Sequence, residues 1–129
     1  MATPYFTKAY FDALATTLNA DAEFQAKTAN LKANLLMVAR DKGEKGAAFL
    51  LAVDHGKAAI TEATPETSAE FAFIGDYATW VRNHQGEAPL EKLVMTGKMK
   101  FKGSIPKIMQ MRNQLGVIDT TARRVPAAY

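Results

Sequence analysis

Apolar positions change their period several times along this chain. Phe6, Ala9, Tyr10, Ala13, Leu14 and Leu18 keep helical spacing, and Thr3-Pro4 offers an N-cap followed by a first-turn proline. The spacing predicts an amphipathic helix from Pro4 to about Asn19. Asp21 then caps a shorter helix with Phe24, Thr28 and Leu31 on one side. From Lys32 the pattern is extended. Asn34–Ala39 and Ala48–Val53 read as strands, and Asp54-His55-Gly56-Lys57 is a tight hairpin signal leading into a third strand at Ala58–Thr61. Residues 34–61 therefore form an antiparallel meander. Its strands are apolar on both faces, so helices are expected over one face and some other cover over the second. After a polar loop at Thr64–Thr67, Glu70–Ile74 is a fourth strand. Asp76 is placed to cap a short helix carrying Tyr77, Trp80, Val81 and His84. Pro89 opens another helix, with Leu90, Leu93 and Val94, that Gly97 closes.

The stretch from Gly97 to Leu115 organises the rest. Lys98-Met99-Lys100-Phe101-Lys102 alternates strictly, which predicts a half-buried fifth strand with its lysines outward. Gly103 breaks the strand, and Ser104 caps a final helix with Pro106 in its first turn. Ile105, Ile108, Met109, Met111, Leu115 and Ile118 share one broad helical face. Beyond Asp119, residues 119–129 read as a weakly determined tail. The element order predicts a single α+β domain over residues 1–129, with its core at about 4–118. Its expected form is one five-stranded, mostly antiparallel sheet flanked by helices.

Charge modifies this picture. The net charge of +3 is uneven. Residues 98–129 hold seven basic side chains against Asp119 alone, whereas residues 1–97 hold nine basic and twelve acidic ones. Such a surface suits transient contact with an anionic membrane, although lysines on an exposed strand also serve simply to prevent edge pairing. Nucleic acid is not expected as a partner. Alternation puts Met99 and Phe101 on the face opposite the lysines, so cations and aromatic rings do not share one surface. The chain has no cysteine, which excludes a disulfide framework and thiolate chemistry. No run approaches the roughly 18–20 apolar residues of a membrane span. The N-terminus lacks a signal-peptide pattern and the C-terminus a peroxisomal tripeptide. A soluble, cytoplasmic protein is the expectation.

Catalytic signatures are missing. His55 sits in a hairpin and His84 at a helix end, and neither has companions at metal-ligand spacing. No catalytic residue, metal site or cofactor is expected. What remains is an apolar site. Four of the five methionines after Met1 lie between positions 95 and 111, and methionine is favoured where a surface must adapt to varied apolar partners. Core packing explains the same residues. Arg112 falls inside the apolar arc of the final helix, where it is a candidate to bind a carboxylate or phosphate head group at a pocket mouth. Snorkelling to water and an internal pair with Asp119 are the alternatives.

The segment Thr96-Gly97-Lys98-Met99-Lys100-Phe101-Lys102-Gly103, with the Leu93-Val94-Met95 helix before it and a Met-containing helix after it, resembles the sterol carrier protein (SCP-2) family of lipid-binding domains. The helix-first layout resembles that family from about Pro4 to Leu115, as in a stand-alone microbial-type member. The resemblance implies an apolar tunnel between sheet and helices that holds a fatty acid, fatty acyl-CoA, sterol or similar ligand, without catalysis or cofactor. The lipid-binding positions it implies are Phe71 and Phe73 on the fourth strand, Trp80 and Leu93 on the two middle helices, and Met99 and Phe101 on the motif strand. On the last helix they are Ile108, Met109, Met111 and Leu115. The tail is expected to close the tunnel or support a homodimer. Two other readings compete. One is an accessory module of the same fold, with a closed cavity and a partner enzyme. The other is an enzyme, which would need Arg112, Asp119 or His84 to converge at the pocket.

Overall fold

The computed structural model describes residues 2–129. Strand β1 (Thr3–Pro4) is followed by helices α1 (Lys8–Asn19) and α2 (Ala22–Lys27). Strands β2 (Lys32–Ala39), β3 (Ala47–Asp54), β4 (Lys57–Ala63) and β5 (Phe71–Gly75) come next, then α3 (Tyr77–His84) and α4 (Leu90–Met95). The chain ends with β6 (Lys100–Lys102), α5 (Ile105–Gln110), α6 (Arg112–Arg124) and β7 (Ala127–Ala128). The main sheet has the order β4-β3-β2-β5-β6, and only its β2–β5 pair is parallel. This is the expected α+β architecture, with a mostly antiparallel five-stranded sheet.

The hairpin at His55-Gly56 forms as the sequence indicates. Both residues take positive φ, 48° and 84°, the geometry of the turn whose twist matches its flanking strands. Along β2 and β5, Leu35, Met37, Phe71 and Phe73 point into the large core under the helices. Leu36, Val38 and Ala72 point the other way, where a smaller cluster forms with Ala48. The second face gets its cover from a loop. Residues 64–70 must run from edge strand β4 to β5, beyond β2, and Ala69 packs on the small cluster.

Three expectations are corrected. Thr3-Pro4 does not start α1; it pairs in parallel with Ala127-Ala128. Tyr5 and Phe6 are both drawn into the core, 3% and 1% exposed. Phe6 turns the chain with φ of 57°. The cap therefore falls to Thr7, whose Oγ1 accepts the Tyr10 N–H at 3.3 Å. Second, the final helix is broken at Met111 (φ −97°, ψ 10°), so residues 105–124 form two helices, α5 and α6, instead of one. Third, the stretch read as a weak tail is the end of α6 plus β7. Long-range partners hold it: Thr121 Oγ1 donates to Asp21 at 3.3 Å, and Arg124 reaches the same carboxylate.

At the start of α3, Asp76 makes no capping hydrogen bond with its side chain. Asp41, from the turn after β2, accepts the Tyr77 N–H at 2.7 Å instead, and Asp76 accepts from Arg40 Nε at 2.7 Å.

Candidate functional site

An apolar cleft lies beside the edge strand β6. Phe73 and Phe101 form its floor, 5.3 Å apart between ring centroids. Val94 and Met95 of α4 line one side. Ile105, Ile108 and Met109 of α5 line the other, and Leu115 of α6 closes the back. Its volume is about 60 Å³. Two charged residues lie on its wall, Glu91 of α4 and Arg112 at the start of α6. They pair with each other, Arg112 Nη2 to Glu91 Oε1, at 3.1 Å.

Local sequence explains this placement. Gly103, at φ 137°, carries the chain out of β6 at a point where a Cβ atom would lie 2.8 Å from both the Glu70 carbonyl oxygen and the Phe71 ring. Only glycine fits there without strain. Ser104 Oγ then accepts the Lys107 N–H and starts α5. Arg112 is the first residue of α6, directly after the break at Met111. On one straight helix Arg112 would sit in the apolar arc; in the structure it is exposed at the cleft rim. Its partner is Glu91 and not Asp119.

Of the ten apolar candidates, the fold brings five to the cleft: Phe73, Phe101, Ile108, Met109 and Leu115. The other five lie elsewhere. Phe71 stacks behind Phe101 at 6.0 Å and is fully buried. Trp80 is in the central core, its Nε1–H donating to the Val38 carbonyl at 2.8 Å. Met99 fills the hollow above Gly75. Met111 is buried at the α5–α6 break. Leu93 is buried in the main core, 3% exposed, beneath a separate polar groove. Glu91, Val94, Met95 and Ile105 complete the cleft. Met95 and Ile105 carried a sequence signal, one through the methionine cluster and the other through the helical face. Glu91 had none, being one of many singly placed carboxylates.

The remaining candidates for chemistry do not converge. Asp119 is buried and accepts from Asn83 Nδ2 (2.9 Å), the Leu90 N–H (3.0 Å) and Arg123 (3.1 Å). This ties the α3–α4 connection to α6. His84 bonds the Tyr129 hydroxyl through Nδ1, and its Nε2 donates to the Val125 carbonyl at 2.8 Å. Beside it, burial drives the Tyr5 and Tyr10 phenols upward from their ordinary value. Among the described residues no cluster of His, Cys, Asp or Glu could hold a metal ion, and no helix is long and apolar enough to cross a membrane.

The fold that carries this cleft is shared with known proteins. A model of the SCP-2 sterol transfer family matches residues 11–116, and the chain belongs to that family. No curated protein sequence matches it. Among solved structures it is similar to a sterol carrier protein 2, at 23% identity and a TM-score of 0.83, covering 94% of this chain and 98% of that one. It is similar to a conserved hypothetical protein of Thermus thermophilus, described as possibly a sterol carrier protein, at 20% identity and a TM-score of 0.83, covering 99% and 97%. It is also similar to a sterol carrier protein 2 of Aedes aegypti solved in complex with the C16 fatty acid palmitate, at 11% identity and a TM-score of 0.53, covering 84% and 96%.

Proposed function

We propose that this chain is a non-catalytic lipid carrier that takes a fatty acid, fatty acyl-CoA, sterol or similar apolar ligand through the cleft at the β6 edge. The observation that carries the reading is the cleft's composition. Eight of its ten wall residues are apolar, and its charged pair, Glu91–Arg112, sits at one place where a head group can be held. Family membership and the palmitate complex of the Aedes aegypti relative support a lipid as the occupant. Burial of apolar surface, at about 25 cal/mol per Å², supplies the driving force.

Size sets a condition on this reading. Sites for small molecules usually enclose about 300–1,000 Å³, and the cleft holds about 60 Å³. A ligand must therefore displace part of the wall. The six-residue α5 is the element suited to move. Ile108 is its one buried residue, and it lies between Gly103 and the break at Met111. Movement of α5 would expose the second layer, Phe71 behind Phe101 and Met111 beneath the break.

The small volume also favours a second reading, an accessory module of the same fold with a closed interior. Native mass spectrometry of protein purified without detergent, followed by extraction of any bound molecule, separates the two. A co-purifying lipid supports the carrier. Empty protein that also fails to take up a fluorescent fatty acid supports the module. Met109→Trp adds a local check: the carrier loses uptake while keeping most of its stability, because Met109 is 37% exposed and its enlarged side chain has an outlet.

A further inference from the structure

Among the lysines of this chain, Lys42 has unusual surroundings. It lies in the turn after β2, and its Nζ donates to the Tyr5 carbonyl at 2.8 Å. The same atom stands over the Tyr77 ring of α3, 5.1 Å from its centroid. These contacts hold a half-buried side chain in the wall of an open groove of about 540 Å³. The other titratable residues that line the groove are Tyr5, Asp41, Tyr77 and Tyr129. The Asp41 carboxylate is engaged with the Tyr77 N–H at 2.7 Å, and Lys42 takes no part in the ion pairs found among the described residues. Lys8 shows the ordinary arrangement, an exposed ammonium paired with Asp12 at 2.7 Å.

An amine attacks a carbonyl carbon only as the neutral base, and taking a lysine out of water without a counter-ion favours that form. Burial accordingly holds the Lys42 ammonium below the ordinary lysine value, whereas the hydrogen bond to Asp12 and its charge hold Lys8 above it. The neutral amine keeps an N–H for the Tyr5 carbonyl, so the contact that orients Nζ survives loss of the proton. We infer that Lys42 is a covalent modification site that takes an acyl group from a thioester. The Nζ lone pair attacks the thioester carbonyl carbon, the C–S bond breaks, the sulfur leaves as thiolate, and the nitrogen gives up a proton to water. The products are an amide and a free thiol, with no change of oxidation state. Acylation removes the charge that faces the Tyr77 ring and leaves the amide N–H for the Tyr5 carbonyl. None of the residues that line the apolar cleft lines this groove, so the site stands apart from the lipid-carrier reading.

The test incubates the full chain with acetyl-CoA over a pH series from neutral to alkaline and follows the initial acetylation of each lysine by mass spectrometry of proteolytic peptides. At neutral pH, Lys42 is expected to react about threefold faster or more than Lys45, an exposed lysine of the same loop. Its rate is expected to level off at a lower pH than that of Lys8. In concentrated urea, where the groove is lost, Lys42, Lys45 and Lys8 are expected to react alike. The proposal is overturned if native Lys42 reacts no faster than Lys45. It is also overturned if Lys42 is faster but levels off at the same pH as Lys8, because access alone then explains the rate. An advantage that persists in urea overturns it as well, since neighbouring sequence and not the groove is then the cause.

Discussion

The Glu91–Arg112 pair makes a sharp prediction about ligand choice. If Arg112 receives the head group, a ligand carboxylate must displace the Glu91 carboxylate now 3.1 Å from the guanidinium. Glu91 then acts as an internal competitor against acids but not against alcohols. The Arg112 side chain is 56% and the Glu91 side chain 32% exposed, so solvent screening keeps the pair weak. Exposed pairs of this kind contribute about 0.2–1 kcal/mol. Glu91→Gln should therefore raise affinity for a long-chain fatty acid by up to about fivefold while leaving the matching fatty alcohol unchanged. Arg112→Gln should lower acid affinity roughly tenfold, since hydrogen bonds to charged groups are worth about 1.5–3 kcal/mol before screening. Combining the two should reproduce Arg112→Gln, because no guanidinium remains to be freed. Displacement of a fluorescent fatty acid by each ligand gives the ratios directly. Equal gains for acid and alcohol in Glu91→Gln, or an unchanged ratio in Arg112→Gln, would refute the head-group role and leave the pair as a plain surface contact.

Other predictions concern the frame around the cleft. Gly103→Ala should lower stability by about 2 kcal/mol in thermal unfolding, because the added Cβ meets backbone at φ 137°. A wild-type melting curve would show that the Phe71–Phe101 stack can shift to make room. Asp119→Ala should cost about 3 kcal/mol, since it leaves Asn83, the Leu90 N–H and Arg123 without their buried acceptor; denaturant unfolding measures it. The upward-shifted Tyr5 and Tyr10 phenols stabilise the folded state fully below the ordinary value of 10.0 and progressively less as pH rises past it. Ultraviolet titration should therefore show two of the four tyrosines ionising only as the protein unfolds in alkali.

Much of the sheet could be read from the sequence, because successive side chains of a strand point to opposite faces. Leu35 and Leu36, or Phe71 and Ala72, go to opposite sides whatever happens elsewhere, and the strict alternation around Phe101 marked the edge strand. The cleft was half legible. Phe73, Phe101, Ile108, Met109 and Leu115 were named through the family resemblance, and all five line the cleft. Its other parts depend on relations between elements. The helical wheel treats residues 105–118 as one rod and cannot show a break at Met111, directly before Arg112. Glu91 gains its meaning only from a residue 21 positions away. Trp80 and Met99 have the composition of a ligand wall but find their partners in Val38 and Gly75, which no local pattern pairs with them. Thr3-Pro4 carried a sound capping signature, overridden because Tyr5 and Phe6 gain more by burial than a longer helix would supply.

The β1–β7 pair has a mechanical consequence. Thr3 lies beside Ala127 and Pro4 beside Ala128, with the Tyr5 N–H donating to the Ala128 carbonyl at 2.8 Å. Because these strands run parallel, the chain leaves the pair in opposite directions at its two ends. Tension applied between the termini therefore slides one strand along the other and loads their hydrogen bonds together, in shear. An antiparallel arrangement would peel them apart one after another. Two residues per strand are few, but they stand first in the path of the force, so the helices and the main sheet feel no load until this clasp has slipped.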